Sequence, residues 1–350
     1  MKLGVNLKNY ITILFFSAFV FWPSHATQLA QSSDFLPASI FQLDPFYTHH
    51  ILVAEKSTHS LYLFENNNGA PRLIKNYQIA TGKIAGDKKL MGDHRTPEGI
   101  YQLTDFIPNQ ELLKRYGENG KIYGGGAFVL NYPNPMDSRQ NKTGGGIWIH
   151  STNDETRIEK GLDSRGCIVM ANKDLVDLSQ HIELNKTYLI ITHDFSYFEK
   201  SSWSAKKAEI EGLVENWLTS WQNEDLDGYI SSYHPEEFFD DYRGNFKQFR
   251  EYKRAVFSAS GRPEISLKDV AIFNAPNYSI VNFTQIYKSA TIEDSGKKTL
   301  YLKRDDLFNW KIVKEIWSKL PDDNGPMAFT PSSRFFSKKE DGTNPDTATQ

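Results

Sequence analysis

The stretch GGIWIHSTNDETRIEKGLDSRGCIVMAN, residues 145–172, contains the only cysteine of the chain. Cys167 lies in a tight SRGC turn that runs into the apolar segment CIVM, and His150 ends a short apolar run seventeen residues earlier. A cysteine attacks as its thiolate, and a free thiol with a pKa of about 8.5 needs a base or a positive environment to ionise at neutral pH. Cys167 is therefore a candidate nucleophile, and His150 is the obvious base. If His150 activates the thiol, Cys167 should be alkylated well below pH 8.5. Gly166 would let a scissile carbonyl approach the backbone N–H groups, which would form an oxyanion hole.

Each of these residues has a simpler interpretation when it is taken singly, because lone cysteines and histidines are commonly part of a protein core. Their combination, GIWIH (146–150) followed by SRGCI (164–168), resembles the active-site signature of the L,D-transpeptidase (YkuD) family. The segment GDHRTPEGIY (92–101), which alone reads as a turn entering a strand, resembles the second recurring motif of that family. With LNYPN (130–134) in the same order, the resemblance spans residues 51–192.

The resemblance implies acyl transfer on peptidoglycan stem peptides, at the bond between meso-diaminopimelate and D-alanine in a tetrapeptide. It assigns Cys167 as nucleophile, His150 as general base, Gly166 with the Cys167 amide as oxyanion site, and Ser164 as a supporting hydroxyl. An amine acceptor would give a crosslink or an attached lipoprotein, and water would give an L,D-carboxypeptidase. The sequence leaves the acceptor open. An inactive wall-binding module is a further alternative, which the thiol argues against. No cofactor and no metal are expected.

Two positions depart from the pattern of many transpeptidases, which have His before the Gly-Cys pair and Arg or Asn two residues after the cysteine. This chain has Arg165 and Val169 there. An apolar valine cannot replace an arginine that holds a donor carboxylate through two hydrogen bonds, so recognition must come from elsewhere. The candidates for substrate binding are Arg165, Trp148, Arg157 and Arg139, with a solvated surface role as the alternative for the last two.

Composition and the amino-terminal sequence indicate an exported protein in the periplasm or cell envelope. Residues 1–26 read as a signal peptide, with lysines before an apolar run and an SHA cleavage site. After cleavage no span is expected, and an uncleaved anchor is the alternative. With 40 basic and 43 acidic residues there is no broad basic field for nucleic acid. One cysteine excludes an intrachain disulfide, and no zinc-ligand spacing is present.

After an amino-terminal segment (27–48), residues 49–193 show the short apolar runs of a mainly β domain, expected as a YkuD-like β-sandwich. One helix is predicted near 173–181, with Asn172 as its N-cap and Leu175 and Leu178 facing inward. The long insert at 104–146 is expected to act as a lid that caps the site.

A second domain is predicted at 205–320, after a linker at 194–204 and before a disordered tail at 321–350. A helix with a wide apolar stripe and then a series of strands indicate an α+β fold. The pattern resembles the nuclear-transport-factor-like cone. The pairing of such a cone with a YkuD domain resembles the cell-shape-determining L,D-carboxypeptidases, which trim tetrapeptides to tripeptides. The cone could bind glycan strands. A group of its residues could line a sugar-binding or second catalytic pocket, and helical spacing alternatively assigns them to the core: Trp217, Trp221, Tyr229, Tyr233 and His234.

Overall fold

Apolar runs of period two or of continuous hydrophobic residues form the strands of the first domain, as predicted. The computed structural model describes residues 34–44, 46, 49–290, 292–319 and 335–336. The predicted signal peptide, residues 1–26, lies outside this part. The strands before and within the first domain are β1 (Phe35–Pro37), β2 (Ile40–Gln42), β3 (His50–Glu55), β4 (Ser60–Asn67), β5 (Ala70–Gly82), β6 (Gly99–Pro108), β7 (Gly126–Leu130), β8 (Trp148–His150), β9 (Leu162–Ser164), β10 (Ile168–Met170) and β11 (Tyr188–Thr192).

These strands, apart from β1 and β2, form one nine-stranded sheet that bends back on itself. Its order is β10-β8-β7-β6-β11-β3-β4-β5-β9, and β10 also pairs with the second half of the long strand β5. The closed sheet surrounds a core in which Leu52, Ile149, Ile168 and Leu189 are fully buried. This closure places β10 between β8, which runs parallel to it, and β5, which runs antiparallel. The residue before β10 is Cys167.

Helices connect the strands of the first domain: α1 (Asn109–Tyr116), a 3-10 helix (Gly117–Tyr123), α2 (Pro135–Arg139), α3 (Thr156–Glu159) and α4 (Asn172–Ser179). We use "the lid" for residues 109–123, the helical part of the predicted insert. Leu175 and Leu178 face inward and are fully buried, as predicted. Asn172 is not the N-cap, because α4 already includes it and Ala171 takes the cap position. Its side-chain amide donates to Thr152 O at 2.7 Å instead.

The second domain is α+β, as predicted, and smaller than the first. It contains β12 (Tyr197–Glu199), α5 (Lys200–Gln222), α6 (Leu226–Ser231), β13 (Phe239–Asp240), β14 (Gly244–Asn245), α7 (Phe246–Ser260), β15 (Glu264–Ala275), β16 (Tyr278–Lys288), β17 (Glu293–Arg304) and β18 (Trp310–Lys319). Its main sheet has the order β18-β17-β16-β15-β2. The predicted linker at 194–204 is therefore wrong in part: β12 pairs with β1, and α5 begins at Lys200.

The aromatic residues that could have lined a pocket in the second domain are core residues. Trp217 and Tyr229 are fully buried, and Tyr233 is 1% exposed. The Trp217 indole N–H donates to the Tyr233 hydroxyl at 2.9 Å, and that hydroxyl donates to Tyr229 at 2.6 Å. Trp221 and His234 are also buried. The core alternative of the sequence analysis is therefore the correct one for these side chains.

The two domains share a hydrophobic core rather than meeting through a flexible tether. Phe273 of β15 packs on Tyr188 of β11 with ring centroids 5.1 Å apart, inside a cluster to which both domains and β2 contribute. At its centre the buried Tyr278 hydroxyl accepts hydrogen bonds from Ile100 N at 2.7 Å and from Asn134 Nδ2 at 2.8 Å. Asn134 also caps α2. Among the described residues, no helix is long and apolar enough to cross a membrane.

Tyr278→Phe is expected to lower the free energy of unfolding by about 1–3 kcal/mol, because the buried N–H groups of Ile100 and Asn134 lose an acceptor. Urea unfolding followed by circular dichroism measures the change. Tyr242→Phe is the matched control, since that side chain is 94% exposed. Equal unfolding midpoints for the two variants would contradict the role given to the Tyr278 hydroxyl.

Candidate active site

Parallel pairing of β8 with β10 brings the two ends of the 145–172 stretch together. Val169 lies opposite His150, and Ile168 lies opposite Ile149. All three residues of each strand are buried. Cys167 precedes β10 by one residue and packs against the cluster that contains Trp148. The sheet therefore places the cysteine loop beside the histidine strand.

The turn that carries Cys167 is held by two hydroxyl groups. The Ser164 hydroxyl donates to Cys167 O at 2.5 Å and accepts from Gly166 N at 3.0 Å. The Thr96 hydroxyl donates to Gly166 O at 3.0 Å and accepts from Gly82 N at 2.8 Å. Because Ser164 already occupies the Gly166 N–H, the Cys167 N–H is the one left to propose as the oxyanion donor. Ser164 supports the turn, and Gly166 supplies its shape.

His150 is buried at the end of β8, 3% exposed. Its Nδ1 lies 2.5 Å from Ser151 O, and since a carbonyl only accepts, Nδ1 carries the proton and Nε2 is the basic nitrogen. The Tyr123 ring, at the end of the lid, packs edge-on against the imidazole with centroids 5.0 Å apart. Burial lowers the pKa of His150 to about 4, and the nearby Arg157 charge acts in the same direction. The imidazole is thus neutral at pH 7.

The Cys167 thiol is half-buried and donates to Gly146 O at 3.4 Å. Burial raises the pKa of the thiol to about 11, against a backbone hydrogen bond from Trp148 and the charges of Arg157 and Lys88, which lower it. The thiol and the imidazole are therefore both neutral in the free protein. The expectation of a thiol that is alkylated well below pH 8.5 disagrees with this, because the burial that closes the site also disfavours the thiolate.

This arrangement resembles nucleophilic sites in which a base takes the proton of a buried thiol. Comparison with known proteins shows to which family the chain belongs. The chain matches the L,D-transpeptidase catalytic domain (YkuD) over residues 49–191 and the Cds6 C-terminal NTF2-like domain over residues 209–316. It is similar to the solved structure of Bd1075 from Bdellovibrio bacteriovorus, with 30% identity and a TM-score of 0.72 over 83% of this chain and 100% of that one. The chain belongs to the YkuD L,D-transpeptidase family.

A second likeness extends over both domains of this YkuD family member. The chain is 28% identical in sequence to Pgp2, the helical cell shape determining protein of Campylobacter jejuni. The alignment with its solved structure covers 83% of this chain and 97% of Pgp2, with a TM-score of 0.63. No protein in the curated set matches the chain. The family makes the protein a peptidoglycan-acting enzyme with a nuclear-transport-factor-like carboxy-terminal domain, as the sequence analysis predicted.

Three of the four predicted substrate-binding residues of this YkuD domain lie at the cysteine turn. The Trp148 ring packs on Tyr123, with centroids 5.1 Å apart, to form an aromatic wall beside Cys167. Arg165 is exposed in the turn itself. Arg157 is not a solvated surface residue: its Nε donates to Asp163 at 2.5 Å. Its charge lowers the pKa values of both His150 and Cys167, so it faces the site.

Arg139 is the fourth candidate, and the structure places it elsewhere. It is exposed on α2 and lines a groove of about 450 Å³ between the domains, opposite Phe239, Asp241 and Lys314. The lining of this groove contains no residue of the cysteine turn. Arg139 can therefore contact a long substrate only outside the reacting centre.

Sequence reasoning missed two residues that shape the site. Thr96 lies inside the GDHRTPEGIY motif, which alone reads as a turn entering a strand, whereas its hydroxyl bridges Gly82 and Gly166 directly. Tyr123 had no signal in the sequence, because its contact with His150 depends on how the lid folds back. Within the described residues, no group of three or more His, Cys, Asp or Glu side chains forms a metal site.

The rate constant kcat/KM is expected to fall as the pH drops through about 4, because a protonated His150 cannot accept the thiol proton. Above that value it should stay level to about pH 9, since the Cys167 pKa is raised to about 11. The measurement is kcat/KM against pH, with circular dichroism to confirm folding at each point. An acid limb centred near 6.5 would indicate an exposed histidine and contradict this geometry.

Proposed function

We propose that the protein is an L,D-carboxypeptidase that removes the terminal D-alanine from tetrapeptide stems of peptidoglycan through a Cys167 thioester. The observation that carries the proposal is the likeness over both domains to Pgp2, whose solved structure is described as that of a helical cell shape determining protein. The pairing of β8 with β10, in which Val169 lies opposite His150, supports the assignment of His150 and Cys167 to one site. The same thioester with an amine as acceptor would make the protein a transpeptidase, and the experiment below separates the two.

In the first half of the proposed reaction, the Cys167 sulfur attacks the carbonyl carbon of meso-diaminopimelate while its proton passes to His150 Nε2. The Cys167 N–H stabilises the oxyanion, as preorganised donors do in other acyl transfers. The tetrahedral intermediate collapses, the bond to D-alanine breaks, and the imidazolium returns the proton to the leaving amine. The products are free D-alanine and a thioester on Cys167. The Nδ1–H bond to Ser151 O keeps the imidazole in the required tautomer throughout.

In the second half, water takes the position that D-alanine has left. His150 Nε2 removes a proton from the water, the oxygen attacks the thioester carbonyl, and the carbon–sulfur bond breaks. The imidazolium then returns the proton to the sulfur. A tripeptide with a free carboxylate leaves, and the neutral thiol and neutral imidazole are restored. No cofactor is needed, because each step uses only proton transfer and acyl exchange.

Recognition of the donor peptide is proposed for the cations around the turn. Val169 cannot bind a carboxylate, whereas Arg165 is exposed beside Cys167. Arg157 is paired with Asp163, and its charge lowers the pKa of Cys167. An anionic stem peptide would be attracted by both guanidinium groups. The aromatic wall of Trp148 and Tyr123 would shield the reacting bond from water.

We also propose that the protein acts outside the cytoplasm, where peptidoglycan lies, and that its second domain engages the polymer. Glycan strands are the proposed ligand of that domain. Because the two domains share a hydrophobic core, the second domain is fixed against the catalytic sheet and cannot move independently on a flexible linker while it binds the polymer. It would therefore set the direction in which the polymer enters the site.

The test is mass spectrometry of a disaccharide tetrapeptide containing meso-diaminopimelate after incubation with the purified mature protein in ¹⁸O-labelled water. The proposal expects a tripeptide with one ¹⁸O in its new carboxylate, with or without excess D-amino acid. Exchange of D-alanine for the added amino acid, or crosslinked dimers, would assign a transpeptidase. An unchanged substrate would favour the wall-binding module. Cys167→Ala serves as the control for contaminating hydrolases.

A further inference from the structure

Three consecutive glycines, Gly124 to Gly126, follow the lid, and the last of them is the first residue of β7. We call these three residues the glycine hinge. Gly124 has φ +55, and a Cβ there would lie 2.4 Å from Ser151 Oγ. The Gly125 N–H donates to Ser151 Oγ at 2.7 Å, and Asn109 N, at the other end of the lid, donates to Gly125 O at 3.3 Å. The two ends of the lid therefore meet at this hinge, one hydrogen bond away from the residue that follows His150.

An aromatic pair from the carboxy-terminal sequence, Phe335 and Phe336, packs on this region. It was expected to be part of a disordered tail, and that prediction is wrong for these two residues, while the rest of 321–350 lies outside the described part of the chain. Phe335 is 8% exposed and belongs to the core of the first domain, with its ring centroid 5.0 Å from Phe106 and 5.1 Å from Phe128. Phe336 packs edge-on against Phe106 at 5.2 Å.

Phe336 also touches the glycine hinge. Its ring lies 3.3 Å from the position that a Cβ on Gly125 would occupy. Phe106 in turn fills the space beside Gly126, where a Cβ would be 2.5 Å from its ring. The hinge is thus packed between Ser151 on one side and the two phenylalanines, Phe106 and Phe336, on the other.

The glycine hinge is connected to the catalytic histidine by two sets of contacts, one made of hydrogen bonds and one made of ring packing. Ser151 binds the Gly125 N–H through its hydroxyl and the His150 Nδ1–H through its carbonyl oxygen. Tyr123, directly before the hinge, packs its ring against the imidazole. A hinge that moved would therefore release both the hydrogen-bonded and the ring contact that orient His150.

We propose that Phe335 and Phe336 form an intramolecular clamp that holds the glycine hinge and so keeps His150 oriented toward Cys167. They are positioning residues, because neither touches the reacting atoms. Attachment to the same chain keeps their local concentration high, so docking needs no partner. The clamp deepens the proposed function, yet its position can be tested without any substrate.

The experiment compares full-length Phe335→Ala/Phe336→Ala and Phe336→Ala with the wild type. Phe308→Ala is the matched control, since that ring is 76% exposed on the second domain. Hydrogen exchange should become about tenfold faster in residues 109–126 of both variants and stay unchanged in 264–319. On the tetrapeptide, kcat should fall about tenfold with KM within about twofold, because a misoriented base slows chemistry more than binding. A Phe336→Leu variant should retain most of the activity.

Rescue in trans separates a clamp from a general loss of stability. A synthetic peptide of residues 331–340, added to the double variant, should restore slow exchange at 109–126 in a saturable manner. The same peptide with both phenylalanines replaced by alanine should not. Unchanged exchange at 109–126 in the folded Phe336→Ala protein would overturn the clamp, and so would faster exchange throughout the first domain. If the double variant does not fold, hydrogen exchange at residues 109–126 in the Phe336→Ala protein decides between the outcomes. If the wild type has no turnover, only the proposed function fails, since the exchange results stand without it.

Discussion

Cys167→Ala is expected to lower kcat/KM on the tetrapeptide by about ten-thousandfold or more, because no other thiol exists in the chain to form the acyl intermediate. His150→Ala should cost about a thousandfold, since the buried thiol with its raised pKa then has no base. His193→Ala, in an exposed turn, is the control for loss of a histidine. Steady-state kinetics with circular dichroism checks the result. A Cys167→Ala protein that keeps more than a few per cent of the activity would remove the basis of the mechanism.

The second large effect is expected from Gly166→Ala. This residue has φ +127, and a Cβ would lie 2.8 Å from Arg95 O and 3.0 Å from Ile147 Cδ1. The turn must therefore shift, which should lower kcat by about a hundredfold through misplacement of the sulfur. Backbone strain should also lower the free energy of unfolding by about 1–3 kcal/mol.

Gly212→Ala is the matched control for this substitution. A Cβ at that helical position meets nothing within 4 Å, and alanine favours a helix interior by about 0.5–1 kcal/mol over glycine. The control should keep its activity and gain slightly in stability. If Gly166→Ala kept wild-type kcat, the turn would tolerate displacement and the bonds from Ser164 and Thr96 would not be what positions the cysteine.

Much of this fold was predictable because its signals are local or belong to a motif. Short apolar runs predicted a mainly β first domain, and β3 and β11 are such runs. The apolar stripe that predicted the first long helix of the second domain is the core face of α5, from Ile210 to Trp221. The pairing of His150 with Cys167 came from the resemblance of two short motifs. Composition and periodicity alone would have left both residues with a core interpretation.

The remaining features depend on contacts between distant parts of the chain. Nothing in the segment 27–48 indicates that β2 joins the sheet of the second domain, because a three-residue strand has almost no pattern of its own. The hydrogen bond that Asn134 Nδ2 donates to the Tyr278 hydroxyl joins residues 144 positions apart in the sequence. A short polar segment between two apolar patterns reads as a linker, yet β12 and the start of α5 occupy it.

The protonation state of the Cys167 thiol also depends on contacts that the sequence does not reveal. A cysteine near a histidine suggests an activated thiolate, but the direction of its pKa shift depends on how deeply the lid and the aromatic wall bury it. Tyr123 and Trp148 come together only in the folded protein. Phe335 and Phe336 lie in a polar, low-complexity sequence in which two aromatic residues are a weak signal, although the folded first domain offers them a site beside Phe106.

Direct detection of the acyl-enzyme tests the central claim, that Cys167 carries the stem peptide as a thioester. The full-length protein is mixed with the meso-diaminopimelate tetrapeptide, quenched in acid within milliseconds and digested, and the peptide of residues 166–173 is analysed by mass spectrometry. The account predicts that this peptide gains the mass of the tripeptide acyl group, that the adduct is lost on treatment with hydroxylamine, and that Cys167→Ala shows none. An adduct on another residue, or tripeptide release by Cys167→Ala at the wild-type rate, would contradict it.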